Sequence, residues 1–121
     1  MDWLLLIVSR KDAPAGESVG MAEMGQFASE LGRQGKLRGG APLHPETSGA
    51  RVVVRGGRAS VTDGPFAEAK EVVGGFFVID AANRAEAIEI GKRCPHALAA
   101  RFPHGRWGAI EVREVMKIGP I

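Results

Sequence analysis

The chain has 121 residues, of which 45% are hydrophobic and 25% charged, with a formal net charge of +2 at pH 7. That length supports one hydrophobic core and not two, and the composition excludes the low-hydrophobicity, high-charge balance of a disordered chain. The pI is about 9.0, but Arg51, Arg55, Arg58, Arg84 and Lys92 are interleaved with acidic residues, which reads as a mixed solvated surface rather than a nucleic-acid site.

Cys94 is the single cysteine, so no internal disulfide can form, and no Cys/His spacing suggests zinc. Neither a metal nor another cofactor is expected. The apolar stretch Met1 to Val8 is too short for a signal peptide or for a membrane span of about 20 residues. It reads as a buried first strand, and the expected location is cytoplasmic, with no membrane partner.

Trp3 to Val8 is a strand closed by Ser9-Arg10-Lys11-Asp12 and followed by a loop with Pro14 and Gly16. From Glu17 to Gln34, Met24, Phe27, Ala28 and Leu31 recur at the spacing of one helical face, and Gly35 suits the left-handed residue that closes a helix. Leu37 to Leu43 is a weak strand, because Gly39 and Gly40 interrupt it, and it runs through His44-Pro45 into a loop over 46–49. Ala50 to Arg55 and Arg58 to Thr62 flank Gly56-Gly57, the signature of a tight hairpin.

A loop over 63–71 precedes Val72 to Asp80, the most apolar strand of the chain. Gly74-Gly75 inside it suggest a bulge or a close approach of neighbouring backbone or ligand rather than a phosphate loop, since no helix starts after them. Asn83 then opens a second helix, with Glu86 placed to complete a capping box. Its inward face is Ala87, Ile90, Gly91 and Cys94, and Pro95 stops it. The 96–105 stretch is irregular, and Trp107 to Val115 is the last strand.

This order predicts an α+β ferredoxin-like sandwich, one domain over residues 1–121, with an extra hairpin strand. Two helices cover only one face of such a sheet, yet Leu4 to Val8 and Phe76 to Ile79 are apolar on both faces. The uncovered face predicts a homodimer whose sheets stack face to face, with ligand clefts at the ends of the paired sheets.

Asp63 is the first candidate for chemistry, since a carboxylate at a cleft mouth can act as a general base. The alternative is structural: Asp before Gly-Pro is a common turn former whose side chain bonds backbone N–H groups just ahead. Glu68 and Lys70, two apart in the same loop, are candidates for binding a polar or anionic group, or else pair with other surface charges. Phe66 could wall a pocket; Trp3, Trp107, Phe76 and Phe77 read as core or interface. His96 and His104 lack the spacing that preorganises metal ligands, and Cys94 reads as a small buried hydrophobe.

The run Val61-Thr62-Asp63-Gly64-Pro65-Phe66-Ala67-Glu68-Ala69-Lys70-Glu71, followed by Gly74-Gly75-Phe76-Phe77, resembles the signature of the YCII-related, or DGPF, family. Leu4-Leu5-Leu6-Ile7 and Gly108 to Arg113 extend the likeness over almost the whole chain. The resemblance implies a dimeric α+β barrel and a histidine–aspartate pair, for which His44 and Asp63 are the candidates; His44 otherwise reads as a partly exposed loop residue. Departures are Ala69, where a hydroxyl residue is common, and Glu114, where proline is common. Most of the family has no assigned reaction; some relatives accompany sigma factors of the extracytoplasmic type, and a superfamily relative is a dehydrochlorinase. Two functions follow as expectations. One is an enzyme performing proton transfer (isomerisation, elimination or hydrolysis) on a small polar or aromatic molecule; the other is a non-catalytic ligand-binding or regulatory module, with a sigma factor as its protein partner.

Overall fold

The computed structural model describes residues 1–10, 21–66, 71–95 and 108–117. Along the chain these form β1 (Asp2–Arg10), α1 (Met21–Arg33), β2 (Leu37–Pro42), a 3-10 turn (Glu46–Ser48), β3 (Ala50–Arg55), β4 (Arg58–Asp63), β5 (Glu71–Asp80), α2 (Arg84–Lys92) and β6 (Gly108–Glu114). The two most apolar segments, β1 and β5, lie at the centre of a four-stranded sheet ordered β2-β5-β1-β6. Every pairing in it is antiparallel. Two helices on such a sheet are compatible with a ferredoxin-like fold.

The hairpin departs from expectation. Both its strands form a two-stranded sheet of their own, so neither adds a fifth strand to the main sheet. Its register pairs Val52 with Val61 and Val54 with Ala59, and the turn residues Gly56 and Gly57 take φ of 56° and 77°, as a two-residue hairpin loop requires. Val52, Val54 and Val61 are 63%, 66% and 66% exposed.

Side-chain alternation divides the main sheet. Trp3 and Leu5 of β1 and Ile79 of β5 are buried with Leu31 of α1 and Ala87 and Ile90 of α2, and Phe27, Leu37, Phe77, Ile110 and Val112 pack against them. The rings of Phe27 and Phe77 meet edge to face at 5.5 Å. A Cβ on Gly91 would stand 3.3 Å from Val112 and 3.5 Å from Ile110, which is how closely α2 approaches β6. Complete burial of Leu5, Ile79 and Ile90 removes each from water for about 1.5 to 3 kcal/mol. On the other face Leu4, Leu6 and Phe76 are half-buried and Val78 is buried.

Helix ends follow the local chemistry. At the end of α1, Lys36 N–H donates to Leu31 O at 2.9 Å and Gly35 N–H to Gly32 O at 3.0 Å, with Gly35 at φ 70°; this is the paired closure that a left-handed glycine permits. Asn83 caps α2 by accepting from Glu86 N–H at 2.9 Å. The reciprocal half of the expected capping box shifts by one residue, because the Glu86 carboxylate accepts from Ala82 N–H at 3.3 Å and pairs with Lys36. The lysine draws the carboxylate away from the Asn83 amide. Cys94 is fully buried. Among the described residues no helix is long and apolar enough to cross a membrane.

Candidate functional site

The two ends of the main sheet differ. At the end formed by the start of β1 and β2 and the close of β5, Arg38 lies 3.5 Å from both Asp2 and Asp80, Asp80 bonds the Met1 ammonium at 2.9 Å, and Lys36 pairs with Glu86. The hydrogen bond from Lys36 lowers the Glu86 pKa below its ordinary value, helped by the Ala82 amide. Asp80 is lowered by its bond to the terminal ammonium, with Arg38 adding a smaller effect. Opposite charges and donors beside a carboxylate favour its ionised form. This end is tied down.

At the other end the β1–β5 ladder bulges at glycines and continues to the pairing of Arg10 with Glu71. Ile7 faces Gly75 while Val8 faces Val73, so Gly74 is the extra residue of a bulge. Gly75 sits where a Cβ would stand 2.9 Å from Ala41 O. Both expectations for this glycine pair, bulge and close approach, hold here. Between α1 and this sheet end lies a cleft of about 320 Å³. Its described lining comes from Ile7 of β1, Met24, Gly25 and Ala28 of α1, Gly40, Ala41 and Pro42 of β2, and Gly74, Phe76 and Phe77 of β5. No charged or hydrogen-bonding side chain is among them.

His44 follows this lining by two residues, because Leu43 N–H donates to Gly74 O at 2.8 Å and carries the chain past the cleft. After it comes the 3-10 turn, which the Asp63 segment touches directly. Gly64 N–H donates to Gly49 O at 2.9 Å, and a Cβ on Gly64 would lie 1.9 Å from Glu46 O. Only glycine fits at 64. The Gly64-Pro65 peptide is cis.

Asp63 is the last residue of β4, paired with Ala50, not the first residue of a loop. Its carboxylate does not make the turn-forming bonds to backbone that the sequence suggested, and the Gly64 amide goes to Gly49 instead. Asp63 and His44 are both exposed. Among the described residues neither side chain has a hydrogen-bond or ion-pair partner, and no bond joins the two. Their segments are neighbours through the contact of Gly64 with 46–49. Phe66 is half-buried with the Arg51 guanidinium 4.3 Å above its ring, a cation–π contact, and is absent from the described cleft lining. Glu68, Lys70, His96, His104 and Trp107 lie outside the described residues, within which no His, Cys, Asp or Glu group is arranged to hold a metal ion.

Sequence reasoning missed the cleft, because its walls come from four elements far apart in the chain. The available signal was small: Gly25 stands inside a helix that alanine would favour, and Gly74 interrupts the most apolar strand.

Comparison with known proteins adds a family but no activity. The chain is 41% identical over 63 residues to an uncharacterized protein of Rhizobium meliloti (strain 1021), a match covering 52% of this chain and 51% of the relative. It therefore spans about half the length of that curated relative. The family model for the YCII-related domain matches residues 1–119, and the chain belongs to the YCII-related family.

Proposed function

We propose that the protein binds a small, largely apolar molecule in the cleft between α1 and the β2–β5 end of the sheet, and that His44 and Asp63 act on it by proton transfer. The observation that carries this reading is the position of the cleft. It opens at the sheet end from which the His44 segment departs, and the Asp63 segment is fastened to that segment at Gly64. Ligand sites are concave and mostly apolar, with few polar groups placed to orient the ligand. An imidazole and a carboxylate with no hydrogen-bond or ion-pair partner among the described residues are available for general acid–base work.

The working unit in this reading is a homodimer. Half-buried Leu4, Leu6 and Phe76 on the helix-free face, with the exposed hairpin valines, supply apolar surface for a second copy.

The test is methyl NMR during titration with neutral apolar probes. Shifts concentrated at Ile7, Met24 and Ala28 are expected, and probes that perturb only distant methyls would overturn the reading. Asp63→Asn and His44→Gln should retain this binding; if a turnover is found that neither variant slows, proton transfer by these residues is refuted.

A further inference from the structure

We propose that Gly25 and Gly74 are specificity-determining residues that hold the cleft open for an uncharged, flat molecule of two fused aromatic rings. This rests on the cleft being the ligand site and adds which ligand it selects.

The described lining disfavours charge. The described lining offers no side chain able to compensate the lost hydration of an ionised group, and burying a charge without a partner is strongly unfavourable. Size follows from volume. A cavity of about 150 Å³ accommodates benzene, and this cleft is about 320 Å³, room for roughly twice that ring. Shape follows from the walls. Small residues stand on both sides, Gly25 and Ala28 on the helix and Gly40, Ala41 and Gly74 on the strands, while Met24, Ile7 and Phe77 supply bulk between them. Such a slot suits a planar ring system, and a thioether and a phenyl ring both make favourable aromatic contacts.

Gly25 and Gly74 are not demanded by packing. A Cβ at either position would meet nothing within 4 Å, and neither has positive φ. Yet Gly25 lies inside α1, where glycine is the poorest helix former after proline, and Gly74 lies inside β5, where it weakens a strand. Both choices run against local propensity while bordering the same cleft. Residues that break a local rule without a packing reason are expected at functional sites.

The test is titration of the intact protein with 2-naphthol, phenol, 2-naphthoate and 1-octanol, read by the Met24 methyl resonance and by calorimetry. 2-Naphthol is expected to bind at least tenfold tighter than phenol and than 2-naphthoate. Gly25→Leu and Gly74→Val should each weaken it at least tenfold, while circular dichroism and the urea midpoint stay at or above wild-type values. If Gly74→Val lowers the midpoint, Gly25→Leu alone decides. Equal affinity for naphthol and naphthoate, or unchanged naphthol binding in folded Gly25→Leu, overturns the proposal. Octanol binding at Met24 without naphthol binding would sink this ligand class and leave the cleft as a binding site; no shift at Met24 with any probe would sink both.

Discussion

Replacing Gly64 with alanine puts the contact between the Asp63 segment and the 46–49 turn under direct strain. The added Cβ would stand 1.9 Å from Glu46 O and 2.8 Å from its carbonyl carbon, and both are backbone atoms that cannot rotate away. One segment must move, which breaks the 2.9 Å bond from Gly64 N–H to Gly49 O. Overpacking of this kind costs about 1 to 3 kcal/mol and the lost hydrogen bond about 1 kcal/mol more. The expected destabilisation is therefore about 2 to 4 kcal/mol. With a urea slope of about 2 kcal/mol per molar, the midpoint should fall by about 1 to 2 M. Hydrogen exchange should accelerate at the Gly64 amide and across 46–49 before it changes in β1. Gly39→Ala is the control: its Cβ meets nothing within 4 Å, so it should stay within about 0.5 kcal/mol of wild type. If Gly64→Ala unfolds at the same urea concentration as Gly39→Ala, the two segments are not held together as described.

Trp3 is 5% exposed, and its indole Nε1 has no hydrogen-bond acceptor among the described residues, so Trp3→Phe removes an unsatisfied donor along with some packing. It should cost under about 1 kcal/mol, against about 2 to 5 for Leu5→Ala; equal losses in urea unfolding would show that the indole N–H is satisfied. The lowered pKa of Glu86 means that its contribution is present above the unfolded pKa and disappears as pH falls through the still lower folded value. Stability measured from pH 7 to pH 3 should accordingly drop less steeply in Glu86→Gln than in wild type, and parallel profiles would count against the Lys36 pairing. For the hairpin, Val52→Thr with Val54→Thr should leave the circular dichroism intact and weaken the proposed homodimer in sedimentation. A wild-type chain that sediments as a concentration-independent monomer would refute the dimer outright.

Much of the fold was legible because local and non-local preferences agree in it. Met24, Phe27, Ala28 and Leu31 share the inward side of α1; Ala87, Ile90, Gly91 and Cys94 are all buried behind α2; Asn83 caps where its side chain predicts. The hairpin was legible as a hairpin, but its separation from the main sheet was not. Three consecutive valines between Arg51 and Arg55 in β3 fit a sheet edge and a projecting ribbon equally well. Asp63 was misread locally because a turn-forming aspartate and a strand-end aspartate are the same residue until the partner strand is known; Ala50 and Gly49 decide it. The cleft was the least legible feature, since it depends on how far α1 stands from β2 and β5.

The two ends of the sheet together say why the site would lie where it does. Half-buried Lys36 and Glu86 link the start of β2 to α2, and Arg38 links it to β1 and β5, while Gly35 closes α1 just before. The termini of five elements are thereby fixed at one end. With that end held, the separation of α1 from the sheet at the opposite end is set by the side chains between them, chiefly Phe27 against Phe77. Beyond this pair Met24 and Ile7 border empty volume, and the strands bulge at Gly74. A slot held by a rigid far end keeps its width without a ligand, so a ligand need not meet the cost of opening it. Breaking the Lys36–Glu86 pair should therefore weaken binding in the cleft although neither residue borders it, while Glu89→Gln, which breaks an exposed pair with Lys92 on the same helix, should not. Glu86→Gln and Glu89→Gln with equal probe affinities would show that the cleft is held by its own walls alone.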